Sequence, residues 1–215
     1  MSPDRTAADA HLAEVEAEQA ALRRIAALLA RGVPAEEVFD AVVDEVRSLM
    51  GVEAAGLGRY EADNTATVLA VSAEADAWVL LPGDKLSTEG RNITALVLRT
   101  GRPARVDDLK GTGGEDVRRF REAGVRSAVG APVQLRERVW GLLGVYSMHR
   151  RLPPETEARL ADFAALVASA LANVQAWSEL GSLARADHQR RRRGASAGRA
   201  RPPRWGAAAD SHGRS

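Results

Sequence analysis

Residues 52–72, VEAAGLGRYEADNTATVLAVS, mark where the apolar period along the chain changes from 3.6 residues to 2. Two short runs, Val52–Tyr60 and Thr65–Ser72, are rich in small and β-branched residues, and the polar tetrad Glu61–Asn64 separates them. That pattern predicts a β-hairpin. Within the first run, Ala54, Gly56 and Gly58 share one face, while Ala55, Leu57 and Arg59 share the other. A face this small predicts helices lying close against the glycines.

Upstream, helices are expected. Leu22, Ile25 and Leu29 recur at helical spacing and define an amphipathic helix over about residues 12–31, stopped by Gly32. Pro34 sits at a first-turn position, and Glu36 and Glu37 lie where the helix dipole favours negative charge. The second helix runs to Met50 with Val38, Val42, Val46 and Leu49 as its apolar stripe, and Gly51 supplies a left-handed terminus.

Downstream, residues 78–82 are expected to add a third strand. Asn92–Thr100 reads as a helix ended by Gly101, Ala104–Val106 as a short strand, and Glu115–Ala123 as a helix closed by Gly124. Ser127–Leu135 and Val139–Met148 flank a tight turn at residues 136–138, with Gly141 and Gly144 leaving room for a packed element. Pro153 and Pro154 precede a final helix to about Leu180, whose stripe is Leu160, Phe163, Val167, Leu171 and Val174. The order of elements describes an α+β fold, an antiparallel sheet with helices on both faces.

The 215 residues suit one domain with appended segments, and at 45% hydrophobic but 4% aromatic its core must be built from Ala, Val and Leu. There is no cysteine, which excludes disulfides, thiolate metal sites, cysteine nucleophiles and thioether-linked chromophores. Neither an export signal nor a membrane span is legible, so a cytoplasmic protein without membrane partner is expected. Residues 185–215 hold nine arginines against two aspartates, a local charge of +7, whereas the chain as a whole carries +1 and the remainder therefore −6.

Five collinear stretches resemble GAF domains: EQAALRRIAALLARG (18–32), RTGRPARVDD (99–108), RSAVGAPV (126–133), VWGLLGV (139–145) and LPPETEARLADF (152–163). The resemblance spans residues 18–180 and is nearest to the GAF input domains of bacterial sensor histidine kinases. It implies a lead-in over 1–17, a GAF-like domain over 18–180 and a basic tail over 181–215. It also implies a five- to six-stranded antiparallel sheet, with terminal helices on one face and an inserted helical segment over the other. The implied ligand pocket lies under the inserted segment. Strand alternation assigns to it Leu57, Arg59, Trp78, Asn92, Val129, Ala131, Leu143 and Val145. Leu57, Val129, Leu143 and Val145 are equally readable as plain core. Arg59 could meet an anionic ligand or extend to solvent from a strand end.

No constellation reads as catalytic, and neither cofactor nor metal is expected. His149 stands beside Arg150 and Arg151 at a strand exit, where a solvated role outweighs ligation of haem iron. Asp107 and Asp108 lack a His or Lys partner and read as a turn. Gly111–Gly114 lacks the Lys-Ser/Thr of a phosphate-binding loop. In the kinases, the last helix continues into a phosphoacceptor helix and an ATP-binding domain; here it runs into the arginine-rich segment, whose composition predicts disorder. A shifted reading frame of GC-rich DNA explains that segment better than a nucleic-acid arm. The resemblance thus implies a non-catalytic sensory module, a small-molecule ligand, a homodimer through the terminal helices and a kinase partner. The alternatives are a ligand-free dimerisation or spacer domain, and a nucleic-acid-associated regulator.

Overall fold

The computed structural model describes residues 3–74, 79–109, 114–169 and 171–172. Trp78, Gly111–Gly113, the helix end beyond 172 and the basic segment 181–215 lie outside the described residues. The chain opens with α1 (Pro3–Ala30), longer at its start than the apolar stripe predicts, and α2 (Ala35–Met50). Gly51 ends α2 in the left-handed conformation at φ 57°, its N–H reaching the carbonyls of Arg47 and Ser48.

β1 (Ala54–Tyr60) and β2 (Thr65–Ala73) form the expected hairpin, and β3 is Lys85–Ser87. The third strand is therefore displaced from its expected place at 78–82. Pro82 has no N–H to give a ladder, and Gly83 turns the chain at φ 96°. Its N–H donates to Val68 O (2.8 Å), so pairing with β2 resumes only after the turn. α3 (Ile93–Thr100), β4 (Ala104–Asp107) and α4 (Glu115–Glu122) make up the inserted segment, followed by β5 (Ser127–Leu135) and β6 (Arg138–Ser147). The last helix, α5, occupies residues 156–169 and 171–172.

All six strands join one antiparallel sheet in the order β3-β2-β1-β6-β5-β4. Its two faces carry separate cores. Ile25 of α1, the Val38, Val42, Val43 and Val46 ridge of α2 and Leu160, Phe163 and Val167 of α5 pack on one face with Leu57, Val129, Leu143 and Val145. Ile93 and Val97 of α3 and Val117 and Phe120 of α4 cover the other, with Ala54, Val68, Leu142 and Tyr146. Bulges keep this division consistent. Register shifts at Leu57/Gly58, so that Val68 belongs to the inserted-helix layer and Ala70 to the terminal-helix layer although they are two apart.

Polar ties fix the ends. Ser127 Oγ, on a fully buried residue, donates to Asp107 Oδ1 (2.5 Å) and accepts from Leu152 N (3.2 Å), joining β4, β5 and the approach to α5. Arg105 Nε donates to Glu157 Oε1 (2.6 Å) and its Nη1 to Leu152 O (2.6 Å), with a second contact to Glu157 Oε2. These bonds hold the Glu157 carboxyl below its ordinary value and raise the guanidinium further. Among the described residues no helix is long and apolar enough to cross a membrane.

Two variants test this framework. A Cβ on Gly141 would stand 2.3 Å from Gly58 O on β1, so Gly141→Ala should lower the unfolding free energy by about 3 kcal/mol in urea titration, the upper range for overpacking. Arg105→Ala should cost about 2 kcal/mol, as expected for a hydrogen-bonded ionic group. Because Glu157 is depressed from 4.5, its contribution is complete above that pH and fades as pH falls through the lower folded value. The Arg105 variant should accordingly show a flatter loss of stability in acid than the parent chain.

Candidate functional site

Under α3 and α4 the second core is incomplete. A cavity of about 20 Å³ remains among Leu86, Asn92, Ile93, Phe120, Ala128 and Tyr146, room for about one water-sized group. Its walls are apolar, but its rim is not. Asn92 caps α3, its Oδ1 accepting from Ala95 N (2.7 Å) while its Nδ2 donates to Ser87 O (3.2 Å) and Glu89 O (3.0 Å). Asp116, in the first turn of α4, accepts from Ser87 N at 2.6 Å. The two side chains therefore clamp the end of β3 from opposite helices.

The rim opens outward into a depression of about 370 Å³ bounded by Ser87, Glu89, Arg91, Asn92, Gly114 and Asp116. Inside, Phe120 stacks on Tyr146 with ring centroids 5.2 Å apart. Burial, helped by the nearby Asp116 carboxylate, pushes the Tyr146 phenol well above its ordinary range. Burial likewise raises the Tyr60 phenol, whose hydroxyl donates to Thr94 O (2.7 Å) on α3. One tyrosine, a carboxylate and an amide thus border an apolar hollow, a composition suited to orienting a small ligand.

Of the residues assigned to a pocket from strand alternation, Asn92 lines this cavity. Leu57, Val129, Ala131, Leu143 and Val145 do not. Leu57 pairs with Leu143, Ala131 with Leu143 and Val129 with Val145, and all five are at most 1% exposed against the terminal helices. The alternation within each strand is as read, but the layer it faces is reversed. The helix lying close on the glycine face is the inserted α3, where a Cβ on Gly130 would come within 3.2 Å of Val97 Cγ2. The larger residues on the opposite face fill the space under α2 and α5.

Arg59 turns outward and pairs with Glu61 through its Nη2 (2.8 Å), away from the cavity. Trp78 lies outside the described residues. Sequence reading missed Thr94, Asp116, Phe120 and Tyr146 as cavity residues. Tyr146 was within reach of the same parity, since it alternates with Gly144 and Leu142. Phe120 follows Asp116 by four residues on one helical face. His149 is exposed, 4.0 Å from Glu53. No group of three or more His, Asp or Glu among the described residues could hold a metal ion.

The family model of the GAF domain matches residues 34–171, more than half of the chain. No curated protein sequence matches. Among solved structures, the phycoerythrobilin-bound GAF domain of a cyanobacterial phytochrome is similar at a TM-score of 0.63 and 21% identity, covering 76% of this chain and 99% of that one. The phycocyanobilin-bound GAF domain of a cyanobacterial phytochrome gives 0.61 and 23%, covering 73% and 94%. The chromophore-binding domain of a Stigmatella aurantiaca bacteriophytochrome (Thr289His mutant) gives 0.55 and 17%, covering 71% of this chain and 59% of that one. At these identities the likeness is one of fold.

Removing the clamp should be measurable without any ligand. Asn92→Ala strips the α3 cap and frees two carbonyls, and should lower stability by about 1–2 kcal/mol in urea titration. Asn92→Asp retains the cap acceptor and should recover most of the cap contribution.

Proposed function

The chain belongs to the GAF domain family, and from that membership we propose that it is a non-catalytic sensory module that takes a small polar molecule at the Asn92–Asp116 rim. The supporting observation is the path from this site to α5. On β4, Val106 lines the cavity while its neighbour Arg105 holds Glu157 at the start of α5. One short strand therefore touches the cavity with one residue and the last helix with the next. A ligand that shifts α4 or β4 changes the Arg105–Glu157 geometry, and only a ligand with different affinity for the two arrangements can move that equilibrium.

The bilins of the phytochrome structures are not carried over. With no cysteine in the chain a thioether attachment is chemically excluded, and a cavity of about 20 Å³ is far below the roughly 300–1,000 Å³ usual for a ligand of that class. A metabolite seated in the outer depression, with one small group in the cavity, fits the available space. Through the terminal helices α1 and α5 the module pairs with a second copy and hands its state to a signalling partner. A kinase partner agrees with the resemblance to histidine kinase input domains. The competing reading, a ligand-free dimerisation or spacer domain, draws on how completely the cavity is filled.

Thermal unfolding against a panel of small polar metabolites separates the two. A ligand at one hundred times its Kd adds about 2.7 kcal/mol and raises the midpoint by several degrees. Ala128→Leu, which fills the cavity, should abolish that shift while the chain still unfolds cooperatively. If no compound shifts the parent chain, the spacer reading stands. Light scattering should give a dimeric mass, and a monomer at high concentration would count against both readings.

A further inference from the structure

A different surface carries an independent site. At the end of the sheet where α4, β5 and β6 close, a depression of about 570 Å³ is bounded by Arg121, Arg126, Arg150, Arg151 and His149, with Asp108 as its acidic side chain. Six other arginines of the body have a carboxylate partner: Arg24 with Glu45, Arg47 with Glu74, Arg59 with Glu61, Arg105 with Glu157, Arg118 with Glu115 and Arg119 with Asp84. In this depression four guanidiniums meet one carboxylate. Among the described residues Arg121, Arg126 and Arg151 make no side-chain hydrogen bond or ion pair, and Arg150 donates to the Gly51 carbonyl (3.2 Å). The residues outside 185–215 carry −6 in total, so a local excess of positive charge runs against the balance of the body.

The positions are held by the backbone rather than by the side chains. Arg126 N donates to Ser147 O (2.8 Å), Arg126 O accepts from Asp108 N (2.9 Å), and Arg150 N donates to Ser147 Oγ (3.4 Å). The β4, β5 and β6 ends are thereby locked together with their arginine heads unspent. Like-charged groups so grouped repel one another and lower the cost of bringing in an anion. The carbonyl end of α4 faces this side and disfavours a lone negative charge there, so the guanidiniums must supply the attraction. Guanidinium forks match phosphoryl oxygens bidentately.

We propose that this depression is a binding site for a compact polyanion carrying two or more phosphoryl groups. The arginines border one bowl of small-molecule size instead of forming a track across the surface, which favours a small polyphosphorylated compound over a nucleic-acid backbone. Arg126 and Arg151 grip the phosphoryl groups, and the exposed His149 ring borders the remainder of the ligand. The site is separate from the rim at Asn92, so its failure leaves the sensory reading untouched, and the converse also holds.

Isothermal titration of inorganic tripolyphosphate into the full-length chain at about 0.15 M salt tests it. One saturable site per chain is expected, weakened about tenfold or more in the Arg126→Gln/Arg151→Gln variant, given that each lost charge-assisted bond is worth about a factor of ten. The same titration into Arg191→Gln/Arg192→Gln/Arg193→Gln should be unchanged within about twofold, because those arginines lie in the basic segment. Both variants should keep the parent's unfolding midpoint, since Arg126 and Arg151 make no side-chain bonds to lose. Absence of saturable binding overturns the proposal, as does loss of binding in the 191–193 variant with retention in the Arg126/Arg151 variant. Duplex DNA displacing tripolyphosphate from the Arg126/Arg151 site with higher affinity overturns the small-molecule assignment in favour of nucleic acid.

Discussion

At the centre of the sheet β1 and β6 approach so closely that Gly141 has no room for a side chain over the Gly58 carbonyl. This pairing, Ala54–Arg59 against Gly141–Tyr146, joins residues that lie more than eighty positions apart in the chain. Every other layer is built on it. The β2–β3 edge extends from β1 and the β5–β4 edge from β6, so the inserted helices and the terminal helices each find a continuous surface only once the central pair has formed. Long-range pairing of this kind is entropically slow to establish, and bulky side chains at the crossing would prevent it.

The second consequence of a two-faced sheet is segregation of labour. The face under α1, α2 and α5 is filled by Leu, Val and Phe with almost no exposure, as a mechanical core should be. The face under α3 and α4 mixes small residues with aromatic and polar ones, and it is there that packing stops short and leaves a cavity. Glycines on that face have different neighbours. Gly130 admits α3, whereas the space over Gly144 is taken by the Tyr146 hydroxyl. Polar groups at the cavity rim are satisfied by local backbone, which allows Asn92 and Asp116 to stand near solvent without cost to the fold.

Arg105 ties the edge strand of the sheet to the last helix. It sits on β4 beside a cavity residue and binds the first turn of α5 together with the carbonyls of Leu152 and Pro153. The unpaired arginines around Arg126 stand apart from that tie. Their backbone is fixed by the strand ends while their side chains gather around one depression.

Sequence alone determined most of the elements, because glycines and prolines punctuate them locally: Gly51 and Gly101 end helices, as their positions foretold, and the structure adds that Asn92 caps α3. It determined the antiparallel α+β architecture and the parity of each strand, since a period of two is a property of neighbouring residues. Parity, however, says which side chains share a face and not which layer of helices lies over it. Only the docking of α2, α3 and α5, decided by contacts far apart in the chain, placed Leu57, Val129, Ala131, Leu143 and Val145 in the mechanical core. The same docking placed Tyr146 and Phe120 at the cavity. The shift of β3 to Lys85–Ser87 and the gathering of Arg121, Arg126 and Arg151 were equally tertiary outcomes, because a turn's hydrogen bonds and a shared surface depend on partners that no local window contains.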